Sequence, residues 1–485
     1  MNCYIRDMLS AAAKADVTTA RKSRSALWLW AIVAVGTLLR LVLVGHKSFW
    51  IDEIASVAIA RRTTPVFWHF LWHDEGNMAA YYVLLRPWLS FGYGEGTVRL
   101  LSVIPGVLAI PLMYALGRKL FGERVGIMAA LFVALNACAV SVSQEARAYS
   151  FVVLLVLLST YLFARLIEEP SSALMFAYAV VAGLTCYFHY FGVLAPAAHY
   201  VSLVGVRSDR RPWKLLLPAA AIMALLVAPI LWLIHAQDTG HISWVQPPSW
   251  LELYHLGAFL AADSGKAVGA VLLVVDLILI AIFLRSLISE WRTEECWRSL
   301  LPASLVFTPI VITLLVSAVR PAFYHRFLII CLPGWILMTA VAVERTLGRT
   351  LRGAAVVLVC ALSLVSTAIV YRRAGEDWRG AVQYLIANGH SEDRALYYQP
   401  VGEFAGESYR DWLPGGDVQR PTPVPGDDGW EQKVDDASRV WLVLYRVKPE
   451  DAGVRAIEKK LVTGYSPAGR KDFSDVIVLA YQRKP

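Results

Sequence analysis

Apolar residues occur along this chain in long runs that short polar connectors separate. A run of about 20 apolar residues is the length of helix that spans the hydrocarbon core of a bilayer. The pattern predicts about eleven membrane spans, near residues 26–45, 97–117, 125–143, 148–166, 173–188, 191–206, 214–235, 266–285, 299–319, 323–344 and 351–370.

Two segments near the N-terminus need separate interpretations. The run at 26–45 is too long for the apolar core of a signal peptide and lacks a small-x-small cleavage site, so we expect a retained first span. The segment MAAYYVLLRPWLSF at 78–91 contains Arg86 and Pro87. It is only about 14 residues long, which is too short to span a bilayer and favours a helix lying in the membrane interface.

After residue 370 the apolar density falls and Gly, Pro and Asp become more frequent. EDWRGAVQYLIANG predicts an amphipathic helix closed by Gly389, and RALYYQP, RVWLVLYRV and DVIVLAYQR predict strands. We therefore expect a mainly α, polytopic membrane protein with a small C-terminal α/β domain. Its predicted regions are an N-terminal tail at 1–25, a transmembrane domain at 26–370 with a long outer loop at 46–96, and an outer domain at 371–485.

The composition agrees with a membrane protein. Hydrophobic residues make up 57% of the chain and charged residues 17%, whereas soluble globular chains are about a quarter charged. The mean hydropathy is +0.51. These values exclude a soluble enzyme, a disordered chain and a fibre, and the six cysteines show neither a disulfide framework nor zinc spacing.

The net charge of +8 indicates how the chain is oriented. With the predicted spans, the inner loops hold 19 Lys and Arg residues and the outer segments hold nine. By the positive-inside rule the N-terminus lies in the cytoplasm and the C-terminal domain lies outside, as in a multi-pass protein of the bacterial inner membrane. No groove of basic and aromatic residues suggests a nucleic-acid partner.

Acidic residues collect on the predicted outer side. Asp52 and Glu53 follow the first span, Asp74 and Glu75 lie further along the same loop, and Glu145 lies between the third and fourth spans. Loops longer than about 12–15 residues are usually functional or disordered. The periodic aromatic residues of the 46–96 loop favour a folded, functional one.

The motif FWIDEIAS after the first span resembles the acidic signature of the GT-C superfamily of membrane glycosyltransferases. The resemblance is to its branch of protein O-mannosyltransferases and lipid A aminoarabinose transferases. DEGNMAAYYVLLRPWLSFG, EGTVRLLSVIPG, LGRKLFG and SQEARAY follow in the family's order. RPAFYHRFLIICLP resembles the entry to a late span and EDWRGAVQYL the start of an outer domain. The similarity extends over residues 26–170 and is scattered beyond.

The resemblance implies the GT-C fold and an inverting hexosyl- or pentosyltransferase. Such an enzyme takes a sugar from a polyprenyl-phosphate donor, in contact with membrane lipid, and passes it to a glycan, lipid or protein outside the cytoplasm. A hydroxyl acceptor needs a base, which one carboxylate supplies, and a phosphate leaving group needs cations rather than an acid. The arginine fork matches phosphate oxygens.

Carried over by motif position, Asp52 is the base; the alternative is that Asp52 only caps the helix IASVAIARR. Glu53 would orient Asp52 or the acceptor, or merely face water. Glu145 would bind the acceptor sugar or a divalent ion, or pair with Arg147. These three carboxylates are the predicted catalytic residues.

The lipid phosphate is assigned to Arg326 with its neighbour His325, and Arg99 and Arg40 are second choices. The alternative for Arg326 is snorkelling to the interface. Arg40 lies deep in its span, where a charge costs about 2.5–3.5 kcal/mol on insertion scales, so it needs a partner.

Asp74, Glu75, Asn77, Arg147 and Tyr149 are the candidates for contact with the acceptor or donor sugar. GNMAAYY stands where relatives have an HPPLYY-like element. The missing proline leaves open which of Asp74, Glu75 and Asn77 occupies the family position.

Two rival functions remain, a flippase or transporter of lipid-linked oligosaccharide and an O-antigen-type polymerase. Few ionisable residues lie along the predicted spans, which favours an enzyme over a transporter. No cofactor and no metal ligand is assigned, although a divalent metal remains an open option. His69 and His73, one helical turn apart, form a candidate metal face or pack with Trp68 and Trp72.

Overall fold

The computed structural model describes residues 25–236, 244–263, 267–291, 293–346, 348–413, 421–427, 429–448 and 450–485. The chain forms two compact units. The first contains the described residues up to Val42 together with Trp68–Tyr81 and Leu100–Arg372. The second contains Leu43–Phe67, Tyr82–Arg99 and Arg373–Pro485. The second unit therefore includes most of the predicted outer loop at 46–96 as well as the predicted C-terminal domain.

Helices account for most of the described chain. In chain order they are α1 Ser25–Leu41, α2 Ile51–Arg61, α3 Thr64–His73, α4 Ala79–Trp88, α5 Glu95–Phe121, α6 Glu123–Leu135, α7 Ala137–Ser143, α8 Tyr149–Glu168, α9 Ser172–Phe188, α10 Leu194–Ser202, α11 Trp213–Ala236, α12 Trp250–Ala261, α13 Ala267–Glu290, α14 Cys296–Ser317, α15 Leu332–Thr346, α16 Arg349–Arg372, α17 Trp378–Asn388, α18 Pro400–Trp412, α19 Trp430–Val434 and α20 Ala452–Gly464. Short 3₁₀ segments lie at Leu89–Phe91, Tyr190–Val193, Leu203–Gly205, Ser208–Arg210 and His325–Cys331.

Every predicted apolar run is helical, which confirms a mainly α, multi-pass membrane protein. Seven helices in the described ranges are long and apolar enough to cross a membrane, and an eighth span results if the bent pair α6 and α7 counts as one. Three runs, at Ser25–Leu41, Ser172–Phe188 and Tyr190–Gly205, form shorter apolar helices. A total of eleven spans therefore stays a prediction.

The bend between α6 and α7 has an identifiable cause at Asn136. The two helices meet there at 57°. The Asn136 side chain accepts the Ala139 N–H at 2.8 Å and so caps the start of α7. Its amide also donates to the carbonyl oxygens of Leu260 and Ala261, at 2.9 and 3.1 Å. The backbone of Asn136 is not helical (φ −59°, ψ 122°), so α6 ends there and α7 begins with Asn136 as its N-cap.

The segment at 78–91 forms α4 and the 3₁₀ turn that follows it. At ten residues α4 is too short to cross a bilayer, as the sequence predicted. Arg86 near its end donates to the Ala60 carbonyl and the Thr64 hydroxyl, both at 3.0 Å. This arginine therefore ties α4 to the connector between α2 and α3.

The second unit contains one five-stranded sheet. Its strands are β1 Arg394–Tyr397, β2 Thr422–Pro425, β3 Arg439–Tyr445, β4 Tyr465–Phe473 and β5 Val476–Arg483. The order is β2-β1-β3-β5-β4; β1 runs parallel to β2 and β3, and the other pairs are antiparallel. Leu442 in the central strand pairs with Leu396 and Leu479, and all three side chains are buried.

Helix α17, which ends at Gly389, and strands β1, β3 and β5 confirm the elements predicted for this region. The pattern missed both edge strands. Strand β2 has prolines at positions 423 and 425, a residue tolerated at sheet edges because it cannot donate to the ladder. In β4 the side chains between Tyr465 and Phe473 are exposed, so it lacks the alternation by which a strand is found.

The predicted orientation can be tested with two added cysteines. A Cβ at Gly469 in β4, or at Gly348 before α16, would have no atom within 4 Å. In a Cys3→Ser background, we expect a membrane-impermeant maleimide to label Gly469→Cys from outside and Gly348→Cys only after permeabilisation. The parent is the control for the remaining cysteines, of which Cys138, Cys186, Cys296 and Cys331 are buried and Cys360 is partly buried. The reverse accessibility would contradict the predicted orientation.

Candidate active site

Asp52 lies in the first turn of α2, where its side chain is partly buried. The Ser56 hydroxyl donates to its carbonyl oxygen at 2.8 Å. A carboxylate in the first turn is stabilised by the positive end of the helix dipole. Capping of this helix end is done by two other carboxylates: Glu53 accepts the Trp50 N–H at 3.2 Å and Glu376 accepts the Ile51 N–H at 2.9 Å.

Glu53 forms a buried ion pair with Arg99. The Arg99 Nε and Nη2 atoms donate to the two carboxylate oxygens at 2.8 and 2.7 Å. Arg99 Nη1 donates to the Val44 and Lys47 carbonyls, both at 2.9 Å, and Nη2 donates to the Ser48 carbonyl at 3.0 Å. These five bonds match the five N–H groups of a guanidinium. The placement favours positioning roles for Glu53 and Arg99, because the guanidinium has no donor left for a phosphate.

Glu376, just before α17, holds the start of α2 from the other side. Besides the Ile51 N–H, it accepts the Tyr445 hydroxyl at 2.8 Å and the Trp378 indole N–H at 3.2 Å, and it pairs with Arg446 at 3.0 Å. Burial raises the pKa of the Glu376 carboxyl, while these partners oppose the rise. Sequence reasoning missed this residue, although it opens the quoted motif EDWRGAVQYL.

Tyr409 in α18 fixes the segment that precedes Asp52. Its hydroxyl accepts the Phe49 N–H and donates to Glu95 at 3.0 Å. Glu95 pairs with Arg379 at 3.1 Å, and the Arg379 N–H donates to the Ser48 hydroxyl at 2.8 Å. The backbone that leads to Asp52 is therefore held by Arg99 and by the region after residue 373.

The Glu53–Arg99 pair predicts a clear effect on stability. Arg99→Met leaves a buried carboxylate without its counterion, which should lower the free energy of unfolding by about 3–5 kcal/mol. The double variant Arg99→Met/Glu53→Met removes both charges and should recover part of the loss. The measurement is the thermal unfolding midpoint of the purified chain.

Arg470→Met on strand β4 is the matched control, since this arginine is half exposed and pairs with the exposed Asp472. It should leave the midpoint unchanged. An Arg99→Met protein that unfolds at the wild-type midpoint would contradict the structural role of the pair.

In the first unit, Glu145, Tyr149, Phe259 and Arg326 form what we call the Arg326 cluster. Glu145 pairs with Arg326, and the two side chains are only 15% and 16% exposed. The guanidinium carbon of Arg326 lies 5.1 Å from the Tyr149 ring centre and 5.9 Å from that of Phe259. The structure thus brings three predicted residues together, and it pairs Glu145 with Arg326. A buried, ion-paired guanidinium does not fit snorkelling.

The candidate sugar contacts lie in the first unit, and two of them, Asn77 and Glu75, accept backbone hydrogen bonds there. Asn77 accepts the Tyr190 N–H at 3.2 Å, and Glu75 accepts the Asn77 N–H at 3.0 Å. Asp74 is exposed at the end of α3. The Arg147 carbonyl accepts the Ser102 hydroxyl at 3.0 Å. Asn77 therefore connects the loop to the turn between α9 and α10.

Arg40 is fully buried and is bound to backbone oxygens. Nη1 donates to the Gly36 and Ala134 carbonyls at 3.0 and 3.1 Å, and Nη2 donates to the Val133 carbonyl at 3.1 Å. The partner that the sequence required is thus a set of carbonyls on α1 and α6. This placement favours a structural role over contact with a lipid phosphate.

Glu252, His255 and His325 form a group that could hold a divalent cation. Their ligand atoms all lie within 4.8 Å of one another. The His255 Nδ1 is 3.3 Å from one Glu252 oxygen, and the His325 Nδ1 is 3.9 Å from the other. Zinc with bonds of about 2.0–2.1 Å in a tetrahedron separates its ligand atoms by about 3.3 Å, so small side-chain shifts would complete three positions. The His69 and His73 side chains are exposed on α3, with ring centres 4.3 Å apart and planes tilted by 34°.

This group predicts stoichiometric cation binding. Tag-free protein dialysed against zinc should retain about one ion per chain, measured by inductively coupled plasma mass spectrometry, and His255→Gln should abolish retention. His69→Gln is the control and should retain the ion. Retention lost in His69→Gln and kept in His255→Gln would place the ion on α3 instead.

Comparisons with known proteins relate the chain to a family model and to solved structures. The family model for dolichyl-phosphate-mannose-protein mannosyltransferase matches residues 78–233. No curated protein matches the chain in sequence.

Solved structures match over almost the whole chain. ArnT from Cupriavidus metallidurans bound to undecaprenyl phosphate is 13% identical, with a TM-score of 0.60 that covers 93% of this chain and 98% of that chain. Its apo state has a TM-score of 0.62 at 13% identity, over 94% and 98% of the chains. The archaeal oligosaccharyltransferase AglB from Archaeoglobus fulgidus, in complex with an inhibitory peptide and a dolichol-phosphate, has a TM-score of 0.54 at 12% identity, over 94% and 74%. At these identities the matches establish a shared fold.

Proposed function

We propose that this chain, a GT-C superfamily membrane glycosyltransferase, moves a sugar from a polyprenyl-phosphate donor to an acceptor on the extracytoplasmic face. The anomeric carbon is inverted in this reaction. Asp52 is the general base and Arg326 holds the lipid phosphate. The observation that carries the proposal is the fixed, partly exposed Asp52 on a helix end that Glu53, Arg99 and Glu376 hold in place.

The reaction needs one carboxylate rather than two. The acceptor hydroxyl loses its proton to Asp52 as its oxygen forms the bond to the anomeric carbon. The bond between that carbon and the phosphate oxygen breaks, and the leaving polyprenyl phosphate departs as an anion without a general acid. In this arrangement Glu53 does not react; it binds Arg99 and so sets the position of the neighbouring Asp52.

Arg326 suits the leaving phosphate because its planar fork can bind two phosphate oxygens. Glu145 accepts a hydrogen bond from the Arg326 guanidinium. A buried charge needs a counterion, and we propose that the donor phosphate replaces Glu145 as the partner of Arg326. Glu145 is then released to bind the acceptor sugar or a cation. Relatives with bound undecaprenyl phosphate or dolichol-phosphate support a lipid phosphate ligand.

The test is turnover in proteoliposomes that contain a pool of polyprenyl-phosphate sugars and envelope acceptors. Wild-type chain should release polyprenyl phosphate only when acceptor is present. Asp52→Asn should slow this release by about 10²–10⁴-fold, because the base is lost, while binding of polyprenyl phosphate is kept. Arg326→Met should instead lose that binding.

Asp472→Asn makes the same chemical change on the exposed strand β4 and should turn over normally. Normal turnover in Asp52→Asn would refute the base assignment. A wild-type chain that moves the intact lipid-linked sugar across the bilayer without releasing polyprenyl phosphate would instead be a flippase.

A further inference from the structure

His189 occupies a rigid turn between α9 and the 3₁₀ segment Tyr190–Val193. Its backbone N–H donates to the Thr185 carbonyl at 3.1 Å, and its own carbonyl accepts the Gly192 N–H at 2.8 Å. A Cβ added at Gly192 would lie 2.7 Å from the Thr185 carbonyl carbon, a distance that real Cβ atoms do not show. The turn therefore closes tightly onto the end of α9, and the His189 ring has a fixed position.

One nitrogen of the His189 ring has a structural partner and the other has none. Nδ1 accepts the Phe191 N–H at 3.2 Å. This bond places the ring proton on Nε2, which is then a hydrogen-bond donor. The side chain is only 2% exposed, and Nε2 has no hydrogen-bond partner among the residues that the structure describes. A buried donor without a partner is costly, so a group that completes it is expected.

The surroundings of Nε2 point to a ligand that reaches the Arg326 cluster. The His189 ring centre lies 5.2 Å from that of Phe327 and 6.0 Å from that of Tyr149. Tyr149 is also the ring over which the Arg326 guanidinium lies. His189 and Arg326 thus adjoin the same tyrosine. A neutral donor among aromatic rings, on the same tyrosine as the Arg326 guanidinium, suits an oxygen of a sugar phosphate.

We infer that His189 contacts the donor, and that its Nε2–H donates a hydrogen bond to an oxygen of the lipid-linked sugar phosphate whose phosphate Arg326 holds. The inference rests on the proposed function. The oxygen belongs either to the phosphate or to the attached sugar. In both cases the neutral imidazole orients the headgroup and Arg326 supplies the charge.

Two substitutions separate the roles of the ring nitrogens. A glutamine side chain places an amide N–H where Nε2 stands, and an asparagine side chain places an oxygen where Nδ1 stands. His189→Gln therefore keeps the donor and loses the cap on Phe191, whereas His189→Asn keeps the cap and loses the donor. A residue with a purely structural role would tolerate Asn better than Gln.

The experiment measures binding of undecaprenyl phosphate and of undecaprenyl-phosphate mannose to the full chain in detergent. We expect His189→Asn to stay folded, with an unfolding midpoint no lower than that of His189→Gln, but to bind more weakly, by about tenfold or more for a phosphate oxygen and about three- to tenfold for a sugar hydroxyl. His189→Gln should bind within about threefold of wild type. Weaker binding of both lipids assigns the phosphate, and weaker binding of the mannosyl lipid alone assigns the sugar.

Wild-type affinity of His189→Asn for both lipids would overturn the inference, and so would Gln binding as weakly as Asn. A wild-type chain that binds neither lipid would overturn the proposed function itself, which the His189 variants do not test.

Discussion

The buried ion pair between Arg99 and Glu53 is the interaction on which the proposed reaction centre depends. Two charges taken out of water are tolerated only when every remaining donor and acceptor is satisfied. Here the guanidinium achieves this by binding three backbone carbonyls of the segment just before α2. The buried ion pair therefore fixes the backbone that precedes α2. Because Asp52 is the residue next to Glu53, its position is fixed as well. Glu376 completes the constraint by accepting the first N–H of the helix.

Several buried polar groups in the first unit also depend on protein partners. Arg40 donates to carbonyls of α1 and α6, and Arg326 pairs with Glu145. The Asn136 side chain accepts a hydrogen bond through its amide oxygen and donates two through its amide nitrogen. These contacts differ in what could replace them. Carbonyls inside helices cannot leave, which favours a structural role for Arg40. The Glu145 carboxylate can leave if another anion takes its place, and His189 has a donor with no partner among the described residues. We therefore propose ligand contacts at Arg326 and His189.

The arrangement also accounts for a chemistry with a single base. A glycosidase needs two carboxyl groups, one of them an acid, because its leaving group is an alcohol. A lipid phosphate leaves as an anion and needs cations instead. The carboxylates that surround Asp52 in the second unit are engaged with structural partners: Glu53 with Arg99, Glu95 with Arg379 and Glu376 with Ile51. That pattern fits one reactive carboxylate supported by positioning ones.

The sequence by itself determined the membrane class, the helices of the eleven apolar runs, helix α17 and three of the five strands. It also predicted the GT-C fold, which the structural matches support. These follow from local periodicity and from motifs of adjacent residues. Only the tertiary structure decided the pairings: Arg99 lies 46 positions from Glu53, and Arg326 lies 181 from Glu145. It also decided that Glu376 caps the Asp52 helix, that Arg40 is enclosed by carbonyls, and that one His189 nitrogen lacks a partner among the described residues. The hydrophobic pattern of a sequence indicates which residues are removed from water. Which buried polar groups form hydrogen bonds with one another depends on how helices distant in sequence pack together.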